Sequence, residues 1–331
     1  MIKNEILESF LMKSVLITGG TGMVGREIAM LLVNAGAHVR VVSLDQVKIH
    51  EKVDHVYGDL TDFSFCRDQT KDMDYVFHVA GIKGSIKVTL EKPASFFVPL
   101  LMFNTNVLEA SRLNKVRKLV YTSSIGAYAS AEVFKEDDKE SQEPPMDMYP
   151  GWAKRMAEVQ IKAYKEQYGI EWSVVRPSNI YGPGDNFDPE SAMVIPSLMM
   201  RIYRGEDPLL VWGDGSVVRD FTFSRDVAEG IILALHYGTR GNYLNLGSGK
   251  GVSIKELVET LHKFIEFNYE FDPTKYAGFP KRIMDISCAR EWIGYNPTTS
   301  LLDGLKETWS WFQANQDEYL KKKNYFLEND C

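Results

Sequence analysis

Thr18-Gly19-Gly20-Thr21-Gly22-Met23-Val24-Gly25 follows directly on the β-branched run Ser14-Val15-Leu16-Ile17 and leads into an apolar helical pattern at Val24, Ile28, Leu31 and Leu32. Strand, glycine-rich turn and helix in that order set the free amides of a helix N-terminus at a strand tip, where they attract a phosphate. The glycines at 19, 22 and 25 divide the work: the first turns the chain, the second lets a pyrophosphate come against the backbone, and the third lets helix and strand approach closely. Asp45 ends the next strand, twenty residues beyond Gly25. An acidic side chain there accepts from both adenosine ribose hydroxyls and repels a 2′-phosphate, so NAD is expected over NADP. Arg40 lies inside that strand rather than at its tip.

Working outward, further strands are expected at His38–Leu44, His55–Tyr57, Tyr75–His78, Lys118–Tyr121 and Trp172–Val175, with helical stretches between them. That alternation calls for parallel strands joined by crossover helices. The fold expected is α/β, a Rossmann doubly wound parallel sheet with a smaller mixed α/β C-terminal substrate lobe. The expected division is an extension over 1–12, an NAD-binding core over 13–180, a substrate-binding lobe over 181–320 whose chain returns to the core, and a tail over 321–331. From about Ile180 the pattern loosens into turns at Gly182-Pro183-Gly184 and Gly213-Asp214-Gly215. On this layout Asp59-Leu60 lie near the adenine, and His78-Val79-Ala80-Gly81 put small residues where the nicotinamide ribose passes, with His78 as a lining residue.

The chain has 331 residues, 44% hydrophobic and 25% charged, which is ordinary globular composition. A net charge of −7 and no basic tract beyond Lys321-Lys322-Lys323 argue against nucleic acid as a partner. No apolar run is long enough to span a bilayer, and the opening segment lacks the apolar core of a secretion signal, so a cytoplasmic location is expected. Cys66, Cys288 and Cys331 have no metal-ligand spacing, and no metal is expected.

With these residues in hand, the chain resembles the extended short-chain dehydrogenase/reductase family, which includes the NAD-dependent nucleotide-sugar epimerases and dehydratases. The resemblance runs from Met12 to about Phe312 and is carried by the glycine turn, Asp59-Leu60, His78-Val79-Ala80-Gly81, Asn106-Val107-Leu108-Glu109-Ala110, Tyr121-Thr122-Ser123-Ser124, Arg176-Pro177-Ser178-Asn179-Ile180-Tyr181-Gly182-Pro183 and Arg219-Asp220-Phe221. Tyr181-Gly182-Pro183-Gly184-Asp185-Asn186-Phe187, Val194-Ile195-Pro196 and Gly278-Phe279-Pro280-Lys281-Arg282 with Asp285 are most similar to its GDP-fucose synthase branch, which suggests a GDP-sugar or another nucleotide-sugar as the substrate.

The resemblance implies a Ser, a Tyr and a Lys as catalytic groups. The Tyr removes a hydroxyl proton as hydride leaves the same carbon, the Lys lowers the Tyr pKa and binds the nicotinamide ribose, and the Ser holds the reacting oxygen. Ser124 takes the Ser role, with Thr122 and Ser123 as its near competitors. Tyr149 and Lys154 take the other two, at a spacing of five where the family has four. Tyr149 reaches the sugar if Pro150 and Gly151 absorb the extra residue at the helix start. If the helix runs regularly through Pro150, Tyr149 is turned roughly 100° off the Lys154 face and another group or water takes the proton.

Asn179 is expected at the pyrophosphate, Arg219 and Arg282 at the diphosphate, and Val194 along the substrate, while Trp152 packs. Ile125, Gly126 and Met193 stand where fucose synthases carry the proton-transferring Cys and His of a double epimerisation, and the acidic pair of 4,6-dehydratases is also absent. Hydride transfer, at C4, is what remains. This leaves a 4-dehydrogenase or 4-ketoreductase, with GDP-manno-heptose pathways as one setting, or a 4-epimerase. A catalytically impaired NAD-binding protein and an oxidoreductase for steroid or flavonoid carbonyls are the rival readings. The resemblance also implies a homodimer, or a higher assembly, through the helices around Phe103–Leu113 and Trp152–Tyr164.

Overall fold

The computed structural model describes residues 2–316 apart from 83, 85, 137–142, 189–190 and 276–277, and only the backbone at 86 and 87. The expected tail and Lys321-Lys322-Lys323 lie outside the described residues. Five strands form in the order of the first half of the chain: β1 (Ser14–Thr18), β2 (His38–Ser43), β3 (Asp54–Tyr57), β4 (Tyr75–His78) and β5 (Lys118–Thr122). They join Ser173–Pro177 and Tyr243–Leu246 in one seven-stranded parallel sheet, in the order β3, β2, β1, β4, β5, Ser173–Pro177, Tyr243–Leu246. The order reverses between β1 and β4, and in such sheets ligands bind outside the carboxyl ends at that switch.

Alternation along each strand supplies both faces with apolar side chains. Val15 and Ile17 of β1, Tyr75 and Phe77 of β4 and Val120 of β5 belong to one buried cluster, whereas Leu16, Val76, Leu119 and Tyr121 belong to another. The helix Ser224–Tyr237 fills out the first cluster with Val227, Ile231 and Leu235, beside Ile28 and Leu32 of the helix Met23–Asn34. The helices Pro93–Leu113 and Met148–Tyr168 cover the second face with residues such as Val107, Leu108, Ala153 and Ala157. Each fully buried Val, Leu, Ile or Phe contributes about 1.5–3 kcal/mol, which makes this double-sided burial the main force holding the sheet.

Several details depart from the sequence reading. The strand expected at Trp172–Val175 runs from Ser173 to Pro177, because Trp172 is drawn into the second cluster with its ring edge-on to Tyr164 at 5.6 Å. The seventh strand, Tyr-Leu-Asn-Leu, is too short and too polar to stand out and is recruited by pairing with Ser173–Pro177. Ahead of β1, the helix Asn4–Glu8 brings Ile6 and Phe10 into the core, Phe10 lying edge-on to Tyr75 at 5.5 Å.

Past Ser173–Pro177 the chain alternates between a third apolar cluster and the main sheet. The third cluster includes Ile195, Leu198, Leu209, Val211, Leu257, Leu305 and Phe312. Val252–Ser253, Val218–Arg219, Lys281–Met284 and Val133–Phe134 form a four-stranded sheet in that order. Ser224–Tyr237, Tyr243–Leu246 and Ser287–Ile293 return to the main body. No helix among the described residues is long and apolar enough to cross a membrane.

Candidate active site

Gly19 adopts φ +68°, and a Cβ there would stand 2.7 Å from the Ala80 Cα, so the first turn lies directly against the segment after β4. A Cβ on Gly25 would sit 2.5 Å from the Gly19 carbonyl oxygen, which ties the helix to the strand it follows. By contrast a Cβ on Gly22 meets only the Gly19 oxygen at 3.2 Å, and one on Gly81 only Lys154 Nζ at 3.7 Å. The cradle is therefore tight behind and open in front, where Met23 and Val24 present the first amides of the helix.

Asp45 lies two residues beyond the end of β2, and one of its carboxylate oxygens accepts from the Thr21 hydroxyl at 3.2 Å. Asp59 is exposed and accepts from the Thr61 amide at 2.8 Å, while the Leu60 carbonyl is held by Asn106 at 3.0 Å. These residues, with Val79, Ala80 and Gly81, follow the carboxyl ends of β1 to β4 along one edge. The glycine cradle, the helix amides and an acidic side chain beyond β2 suit a nicotinamide dinucleotide. Bound there, such a group supplies a ring that accepts or donates hydride.

His78 does not line this cradle. It is fully buried, and Thr18 donates to its Nδ1 at 2.7 Å while its Nε2 donates to Asn104 at 3.0 Å. The Asn104 oxygen accepts only, so the Nε2–H tautomer follows. Burial pushes its pKa down to about 3, assisted by the Lys154 charge, and the ring stays neutral. Sequence reasoning missed this link, although the buried Asn104 on a helix is a signal for it.

The helix Met148–Tyr168 carries the other catalytic candidates. It starts at Met148 and continues without a break through Pro150, which sits in the first turn where a missing amide costs little. Tyr149 consequently points away from the Lys154 face, is 43% exposed, and sets its ring edge-on to Phe97 at 6.0 Å. Lys154 is partly buried. Its ammonium donates to the Thr122 carbonyl at 2.7 Å and stands 5.2 Å from the Tyr121 ring centre.

Ser124 follows β5, is partly accessible, and its hydroxyl oxygen accepts from the Gly126 amide at 3.0 Å. Ser123 is excluded from the same role, since its hydroxyl is buried and donates to Glu158. The Glu158 carboxylate is clasped in turn by Arg176 at 2.9 and 2.6 Å, and that guanidinium stacks between Tyr128 and Tyr243. The Thr122 hydroxyl is buried with no partner among the described residues, and it is the Thr122 carbonyl that meets the lysine.

On the substrate side, Arg219 and Arg282 are register partners on neighbouring parallel strands. Arg219 donates to the Phe279 carbonyl at 2.7 Å, while Arg282 lies over the Phe279 ring at 4.6 Å and reaches Asp147, at the N-cap position of the helix Met148–Tyr168, at 3.4 Å. Asn179 spends one side-chain N–H on the Asp220 carbonyl at 3.0 Å, and Val194 opens the helix Val194–Tyr203. Ile125 is buried and Met193 caps that helix without a side-chain bond. Trp152 packs against the Arg155 guanidinium at 5.3 Å.

Asp220 itself is fully buried and accepts from the amides of Ser248, Gly249 and Met284 and from the hydroxyls of Ser178, Thr222 and Ser248, at 2.7–3.3 Å. It fastens the arginine strands to the sheet, a role that its place in Arg219-Asp220-Phe221 did not disclose.

Residues 15–247 match the NAD dependent epimerase/dehydratase family. The chain is 31% identical over 312 residues to GDP-L-fucose synthase 1 of Arabidopsis thaliana, covering 91% of this chain and 93% of that one. Its backbone superposes on the epimerase Mth375 of Methanothermobacter thermautotrophicus with a TM-score of 0.85 at 25% identity, covering 96% and 97% of the two chains. The UDP-glucose 4-epimerase of Thermotoga maritima, solved with UDP-glucose, gives 0.79 at 27% identity over 92% and 99%.

Proposed function

This chain belongs to the NAD-dependent epimerase/dehydratase family, and we propose that it moves hydride between its nicotinamide cofactor and C4 of a GDP-sugar, as a 4-dehydrogenase or 4-ketoreductase. The observation that carries this reading is the approach of Lys154 to Gly81 and to the Thr122 carbonyl at the carboxyl edge of the sheet, with Ser124 two residues beyond Thr122 and with Arg219 and Arg282 paired on neighbouring strands. Two guanidiniums on neighbouring strands suit a diphosphate, because each forks onto two anionic oxygens. Asp45 favours NAD over NADP.

In this reading Lys154 binds the nicotinamide ribose and Ser124 orients the reacting sugar oxygen. Val79, Ala80 and Gly81 give the ring room, and the Glu158–Arg176 pair braces the wall behind. Ile125 and Met193 have no exchangeable proton to offer a carbon beside a ketone, which supports simple hydride transfer over double epimerisation. The likeness to UDP-glucose 4-epimerase keeps a second reading in view, oxidation at C4 followed by return of hydride to the other face. Val98, Met102, Met156 and Val159 are exposed on the paired helices Pro93–Leu113 and Met148–Tyr168, and this apolar face supports a homodimer.

The test is to load the protein with NAD or NADH and follow nicotinamide absorbance over a panel of GDP- and UDP-sugars and their 4-keto forms. Net absorbance change with a GDP-sugar supports the proposal. An inverted sugar without net change selects the epimerase, and no cofactor uptake removes both readings.

A further inference from the structure

The head of the catalytic helix leaves the proton of the reacting hydroxyl without the phenol that the family resemblance assigns to it. Tyr149 is turned onto Phe97 and toward solvent, and Pro150 occupies the position four residues before Lys154. Ser124 is an alcohol with no base behind it among its described partners. Asp147 is one turn further out and is engaged by Arg282.

Lys154 differs from all of these. It faces the open side of Gly81 and gives one N–H to Thr122, and among the described residues no carboxylate lies within ion-pair distance of it. The nearest acid on its own helix, Glu158, is taken up by Arg176 and Ser123. The neighbours from β4 and β5 are neutral, since His78 is held uncharged and Tyr121 keeps its proton.

We propose that Lys154 is the proton-transferring residue of the hydride-transfer step, taking the part given to a tyrosine in the family pattern. The proposal rests on the function argued above. In the oxidative direction the sugar O–H bond breaks and its proton forms an N–H bond on the neutral Lys154 amine. The C4–H bond breaks with its electron pair, which passes as hydride to the oxidised nicotinamide, and the C4 carbonyl forms. In the reductive direction the ammonium returns the proton. Burial lowers the amine pKa to about 8, with Glu158 pulling the other way, so both forms are accessible near neutrality.

The experiment uses the full chain with NAD and whichever nucleotide-sugar turns over. Oxidation in the wild type rises with pH to a plateau above about 8. Lys154→Arg, which keeps the charge but does not deprotonate, loses about 1,000-fold in kcat and the pH dependence, while NADH fluorescence shows binding within about threefold of wild type. Small primary amines restore turnover to Lys154→Ala, with rates that follow amine basicity. Tyr149→Phe loses less than about threefold.

A collapse in Tyr149→Phe, or a pH-dependent rise retained in Lys154→Arg, overturns the proposal. Nitrogen NMR of the cofactor-bound protein, with the Lys154→Arg spectrum for assignment, reads the amine without turnover. A midpoint near 8 supports the proposal and one at the ordinary lysine value of 10.5 overturns it, even if no sugar in the panel reacts.

Discussion

The glycine turn at the end of β1 and the head of the helix Met148–Tyr168 lie on the same edge of the sheet, yet they are built on opposite terms. In the turn the backbone is the site: Gly19 and Gly25 matter because nothing protrudes from them. At the helix head and behind it the side chains are the site, and Lys154, Glu158, Arg176 and Asp220 matter through the partners that satisfy them. The first kind of construction fails when atoms are added. The second fails when they are removed, so substitutions of opposite sense separate the two.

The largest effect is expected from taking a partner out of the second region. Asp220→Ala takes the acceptor from six donors, of which the Met284 amide and the Ser178 and Thr222 hydroxyls are buried and those of Ser248 and Gly249 lie nearer solvent; each buried group left unsatisfied costs about 1–3 kcal/mol, partly relieved by rearrangement and water. A net loss of about 4 kcal/mol in urea unfolding is expected, with Asp220→Asn retaining part of it. A loss under 1 kcal/mol would show that the carboxylate is not the fastener that its contacts describe.

Next comes addition of atoms to the first region. Gly25→Val places carbon 2.5 Å from the Gly19 carbonyl and pushes the helix from the strand. NAD binding measured by calorimetry should fall by about a hundredfold, close to 3 kcal/mol. Gly169→Val serves as a control for a destabilising glycine substitution away from the turn: its strain is that of the positive φ alone, since a Cβ there meets nothing within 4 Å, whereas Gly25 is helical and its cost is the clash. Equal loss of NAD binding in both variants would remove the steric account.

Lys154→Met tests the same contrast through pH. The folded pKa of about 8 lies below the ordinary 10.5, so between these values the unfolded chain binds more protons. Stability therefore rises with pH across that window, and below it the buried charge is a liability. Met removes the liability: at pH 7 the variant should be more stable by about 2 kcal/mol, after allowance for a residue that is only partly buried, and inactive. The gain should shrink as pH climbs from 8 to 10.5, which denaturation at several pH values would reveal. A variant less stable than wild type at pH 7 would contradict this.

What could be read beforehand divides along the same line. The turn, the five early strands and the parallel alternation were legible because glycine spacing and short β-branched and aromatic runs are local properties, written in adjacent residues. The strand Tyr243–Leu246 was not, since its pairing with Ser173–Pro177 depends on a fold already formed. At the helix head, sequence supplied the spacing of Tyr149 and Lys154 but not the helix start, and a single residue of offset decides which way a ring points. The ties of Asp220 and of Glu158 to Arg176 and Ser123 join segments far apart in the chain, and no spacing rule reaches them. His78 was visible as a residue at a strand end, but only its burial with Thr18 and Asn104 showed it to be a brace.

The smallest effect concerns Asp45, the side chain in the first region to which the proposed function gives the choice between NAD and NADP. Its carboxylate is held near the turn by Thr21, and Ser43 supports both residues, giving an acidic rim beyond β2. A ribose with both hydroxyls free can donate to that rim, whereas a 2′-phosphate brings like charge against it. Asp45→Ala should weaken NAD by about tenfold, or 1.4 kcal/mol, while leaving NADP unchanged or slightly improved, because the repulsion goes with the hydrogen bonds. Thr21→Val leaves the charge in place but loosens its position, so it should weaken NAD by less and leave the discrimination against NADP largely intact. If Asp45→Ala weakened both dinucleotides equally, Asp45 would be a brace of the turn, and selection between the cofactors would rest on the backbone after all.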